Sequence, residues 1–60
     1  MQDYTEAEIV DEFLERAGII EHEGNRDRAT ANKLAGICIR KRFGFVPIAV
    51  MEIIEKESGA

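Results

Sequence analysis

Apolar residues return every three or four positions along most of this chain, and that period belongs to the α-helix. The first run is Ile9, Val10, Phe13, Leu14 and Ala17, with Asp11, Glu12, Glu15 and Arg16 filling the opposite side. Thr5 followed three residues later by Glu8 is a capping box, in which each side chain satisfies a backbone donor at a helix start. Gly18 reads as a left-handed cap, so the spacing predicts a first helix over 5–17. Ile19 and Ile20 then fold back on the last turn, and the polar run from Glu21 to Asn25 is expected to be the first connection.

The second helix is expected over 26–43, capped by Asn25 or Asp27 and free of proline. Its apolar positions Ala31, Leu34, Ala35, Ile37, Cys38, Ile39 and Phe43 spread over well more than half of the circumference, so it wants cover on two sides. Gly36 weakens a helix interior by roughly 1 kcal/mol relative to alanine, which suggests a close helix crossing at that position. Gly44 suits a positive φ at the end of this helix, and Pro47 suits the first position of the next. The third helix, over 47–57, sets Val46, Ala49, Val50, Met51, Ile53 and Ile54 against Glu52, Glu55, Lys56 and Glu57, with Ile48 outside the main stripe. The three together predict an all-α fold, a small three-helix bundle packed orthogonally or antiparallel. Sixty residues leave room for one helical domain, 1–60, because so short a chain buries only about 60% of the surface it exposes when unfolded.

Charge divides the chain. Eight of the twelve acidic residues precede Gly24, where Arg16 is the only base, whereas six of the eight bases lie between Arg26 and Arg42. The net charge of -4 disfavours non-specific binding to phosphate backbones, but one end of the molecule is locally basic. The triplet Arg40, Lys41 and Arg42 sits in the last turn of the second helix, where cations offset the helix dipole and can pair with the acidic first helix.

Little in the sequence supports catalysis. His22 lies between Glu21 and Glu23 in the expected loop, a poor frame for a metal or for acid-base work. Cys38, beside Ile37 and Ile39, reads as a buried and inert thiol, and a lone cysteine excludes an internal disulfide. The chain is expected to be no enzyme, to need no metal or cofactor, and to take no small-molecule substrate. The acidic start and the lack of a long apolar run predict neither signal peptide nor membrane span, and hence a cytoplasmic protein.

Residues 39–54, Ile39-Arg40-Lys41-Arg42-Phe43-Gly44-Phe45-Val46-Pro47-Ile48-Ala49-Val50-Met51-Glu52-Ile53-Ile54, resemble the helix, glycine turn and second helix of helix-turn-helix DNA-binding domains. Gly44 matches the turn glycine of that family, and Val50, six positions on, matches the apolar residue that locks the second helix. Arg40 stands where the family has a small residue. The resemblance implies a small dimeric transcriptional regulator that sets Arg40, Lys41 and Arg42 on phosphates.

The surplus of apolar surface points elsewhere. Ile37 and Ile39 fall on different sides of the second helix, while Ile48 and Met51 widen the third, so part of this set must be exposed in a single chain. A non-catalytic protein-interaction module is therefore expected, one that self-associates, most simply as a homodimer, or docks on a protein partner through Ile37, Ile39, Ile48 and Met51. On that reading Ile39→Asp or Met51→Asp abolishes association without loss of helix.

Overall fold

The computed structural model describes residues 4–57. Its elements are three helices in the order α1 (Glu6–Glu23), α2 (Arg28–Phe43) and α3 (Ile48–Glu57), an all-α three-helix bundle. The capping box is present: the Glu8 N–H donates to the Thr5 hydroxyl at 3.1 Å, and the Thr5 N–H donates to Glu8 Oε1 at 2.9 Å.

α1 does not stop at Gly18 but runs on to Glu23. The apolar stripe of Ile9, Phe13 and Ala17 continues to Ile20, which packs on the core and secures a further turn. That gain outweighs the roughly 1 kcal/mol cost of a glycine within a helix. Ile19 and Ile20 are accordingly helical, as is His22, which stands exposed in the last turn and not in a loop. The first connection lies later, around Gly24 and Asn25, and it is Asn25, with φ 54°, that adopts the left-handed conformation. The Gly24 N–H closes α1 on the Ile20 carbonyl at 2.9 Å.

Asp27 caps α2, its carboxylate accepting from the Thr30 N–H at 2.9 Å. The Thr30 hydroxyl, its backbone N–H and the charge of Lys33 together hold the Asp27 carboxyl below its ordinary value of 3.8. α2 ends at Gly44, whose φ of 89° is the left-handed conformation expected there, and the Gly44 N–H donates to the Arg40 carbonyl at 2.8 Å. Pro47 sits just ahead of α3, where its carbonyl accepts from Val50 at 3.0 Å and Met51 at 3.1 Å. It therefore caps the helix and does not occupy its first position.

The core is built from Ile9, Phe13 and Ala17 of α1, Ala35 and Ile39 of α2, and Val50 of α3. Phe13, Ile39 and Val50 are its largest fully buried side chains. Phe43, Val46, Ile53 and Ile54 close it at the α2–α3 corner, and Tyr4 sets its ring edge-on against Phe43 at 4.9 Å. The predicted close crossing is realised at Gly36: a Cβ placed there would lie 2.8 Å from Ile54 Cδ1, so the two helices touch at that point.

Candidate interaction surface

Of the four apolar residues assigned to an interface from sequence, three are exposed and one is not. Ile37, Ile48 and Met51 show 53%, 71% and 49% of their surface to solvent. Ile39 is 1% exposed and belongs to the core, because the groove between α1 and α3 takes the side of α2 that carries Ala35 and Ile39. Ile39→Asp would place a carboxylate in the core and so test folding, not association.

Helical periodicity arranges the exposed three. At 100° per residue, Gly36 marks the side of α2 that meets α3, and Ile37 and Arg40 lie further round, away from the core, with Lys33 between them. On α3, Ile54 marks the contact side, and Met51, Glu55 and Ile48 follow in the outward direction. The two rows therefore flank the Gly36–Ile54 contact on the outside of the bundle. One two-helix face carries Lys33, Ile37 and Arg40 on α2 and Ile48, Met51 and Glu55 on α3, with Lys41, which also borders the groove on α1, and Glu52 at its outer margins, all of them exposed.

The basic residues divide between two tasks. Arg42 turns to α1, 3.5 Å from the Glu12 carboxylate, and Arg28 lies 3.6 Å from Glu21, so these two join the basic helix to the acidic one as the charge pattern predicts. Both pairs are solvated and contribute at most about 1 kcal/mol each. Arg42 also lies over the Phe43 ring, 5.5 Å from its centroid. Arg40 and Lys41 make no ion pair with the described residues.

Cys38 is exposed, contrary to the buried thiol expected from its apolar neighbours in sequence. It opens onto a shallow groove of ≈ 430 Å³ lined also by Glu12, Arg16, Ile39, Lys41 and Arg42. The groove sets cations around the thiol, and its one carboxylate, Glu12, is paired with Arg42, while His22 lies six residues beyond Arg16, about 9 Å further along α1. A second groove, of ≈ 250 Å³, lies between Leu14 and Gly18 of α1, Asn32 of α2 and Ile53 of α3. Among the described residues no group of three or more His, Cys, Asp or Glu side chains is placed to hold a metal ion, and no helix is long and apolar enough to cross a membrane.

Sequence reasoning missed other exposed apolar residues. Leu14, counted in the buried stripe, is exposed at the rim of the second groove, and Ile19, Leu34 and Phe45 are exposed as well. Leu14 lies about 100° from Phe13 around α1, at the margin of a stripe centred on Ile9, Phe13 and Ala17. A narrower stripe centred on those three would have found it. A scan of protein-family models and searches of curated proteins and of solved structures found no match to this chain.

Proposed function

We propose that the protein is a non-catalytic protein-interaction module whose working surface is the outer face of α2 and α3. The observation that carries this reading is the cluster of Ile37, Ile48 and Met51 on one side of a bundle whose core is already filled by other residues. Large apolar side chains gathered on one face of a small domain mark an interface more often than they mark nothing. Covering three such half-exposed side chains is worth on the order of 1 kcal/mol each, enough to favour association of a domain with so small a core. The cytoplasm is the compartment we assign, a reducing environment in which a single exposed thiol is kept reduced.

The test uses the double variant Ile37→Asp with Met51→Asp, both at exposed positions where a carboxylate does not disturb the core. Cross-linking in extract followed by identification of the captured chain should give a defined complex, with a second copy or another protein, for the wild type and none for the variant. Unchanged helical circular dichroism shows that the variant is folded. Equal capture by wild type and variant would overturn the proposal.

A second reading, a dimeric helix-turn-helix regulator of transcription, draws on the left-handed Gly44 corner and on the exposed Arg40 and Lys41. Against it, the outer face of α3 offers Ile48, Met51, Glu52 and Glu55, which give base edges no donors and set carboxylates toward phosphates. Arg42 is also engaged with Glu12. Retardation of a DNA duplex at low salt, lost when Arg40, Lys41 and Arg42 become alanine, would favour this reading; no retardation would end it.

A further inference from the structure

Taking the α2–α3 face as the working surface, and resting on that reading, we propose that its occupant is a second copy of this chain. The two copies are related by a two-fold axis that lies in the interface, runs between α2 and α3, and sets α2 of each protomer on α3 of the other.

The α2 side of the face carries Lys33, Arg40 and Lys41 around Ile37, and the α3 side carries Glu52 and Glu55 around Ile48 and Met51. A face that is basic along one helix and acidic along its neighbour is complementary to itself, which is the condition for an isologous contact. Only one of the two simple in-plane axes uses it. An axis across the helices would stack each row on its own kind, cation on cation and carboxylate on carboxylate. The axis along them places Arg40 and Lys41 against Glu52 and Glu55 of the partner, twice, with Ile37, Ile48 and Met51 between the charged rows. Arg28 and Arg42 pair with carboxylates of α1, whereas Arg40 and Lys41 make no ion pair among the described residues.

The smaller specific interfaces cover about 600 Å² per partner, roughly an eighth of the 4493 Å² surface of this chain, and that is the area the face has to bury. A nucleic acid would meet Glu52 and Glu55 on the same face, and a wholly acidic or wholly basic protein partner would be repelled by half of it.

The test is a charge exchange. One variant carries Arg40→Glu and Lys41→Glu, the other Glu52→Lys and Glu55→Lys, and each is followed by sedimentation equilibrium from micromolar to millimolar concentration. The wild type is expected to dimerise. Each variant alone should lose at least tenfold in association, and an equimolar mixture should recover a heterodimer of near wild-type affinity. Because reversal at the end of α2 opposes the helix dipole, Arg40→Gln with Lys41→Gln serves as the milder companion, and it should weaken association while helicity is kept. Variants that self-associate as tightly as the wild type would overturn the proposal, and so would a mixture that stays monomeric. A wild type that is monomeric at millimolar concentration would also overturn it. That last result leaves the interaction module standing if the extract still yields a complex with a different protein that Ile37→Asp with Met51→Asp abolishes; loss of both removes the two together.

Discussion

Two glycines inside helices should respond in opposite ways to the same substitution. Gly18 lies in the exposed middle of α1, and a Cβ placed there would have nothing within 4 Å. Gly18→Ala therefore gains the full helix-propensity difference of about 1 kcal/mol, which for a domain of this size raises Tm by roughly 4–8 °C. At Gly36 the same gain is opposed, because the new Cβ would come 2.8 Å from Ile54 Cδ1. That is about 0.7 Å inside the ~3.5 Å at which carbon atoms rest in contact. Overpacking of this kind costs about 1–3 kcal/mol, so Gly36→Ala alone should be neutral or destabilising by up to about 2 kcal/mol. Ile54→Val removes the offending methyl and costs about 0.5–1.5 kcal/mol alone. In the Ile54→Val background Gly36→Ala should recover its gain, giving a coupling energy of about 1–3 kcal/mol. The assay is urea unfolding followed by circular dichroism at 222 nm, for the four proteins of the cycle and for Gly18→Ala. Coupling below about 0.5 kcal/mol would refute the α2–α3 contact on which the proposed face is built. Destabilisation by Gly18→Ala would refute the continuous α1.

Other outcomes follow from single sites. Phe13 is fully buried at the centre of the core, so Phe13→Ala should cost about 3–5 kcal/mol, comparable with the whole stability expected of so small a core, and should leave a chain without cooperative thermal unfolding. The depressed pKa of Asp27 means that its contribution to stability is present above pH 3.8 and is lost as pH falls through the still lower folded value. Asp27→Asn, which keeps the cap, should flatten that acid limb of a Tm-against-pH curve, and an unchanged limb would contradict the assignment. Cys38 is exposed, so a thiol reagent should label it stoichiometrically in the native protein, and protection that persists until denaturant is added would contradict its placement.

What the sequence revealed and what it hid have physical reasons. The capping box at Thr5 and Glu8, the Asp27 cap and the left-handed Gly44 are local hydrogen-bond and backbone effects, and they appear where the residues predict them. The close approach at Gly36 was legible because a glycine inside a helix costs stability that only a near neighbour explains. The end of α1 was not legible. Gly18 has the same local signature as Gly44, and what separates them is the anchorage of Ile20 on the core, a tertiary effect. Ile39 and Cys38 were misplaced for a related reason. Their helix is apolar nearly all round, so periodicity alone cannot say which sides its two neighbours cover. The breadth of that stripe did reveal that some apolar surface is left over, and Ile37, Ile48 and Met51 carry part of it, beside Leu14, Ile19, Leu34 and Phe45.

The most direct test of self-association through α2 and α3 is the mass of the protein in solution across micromolar to millimolar concentration, for the wild type and for Ile37→Asp with Met51→Asp. The account predicts a monomer–dimer equilibrium for the wild type and a helical monomer for the variant at every concentration. A wild type that remains monomeric throughout, or a variant that dimerises as readily as the wild type, would contradict it.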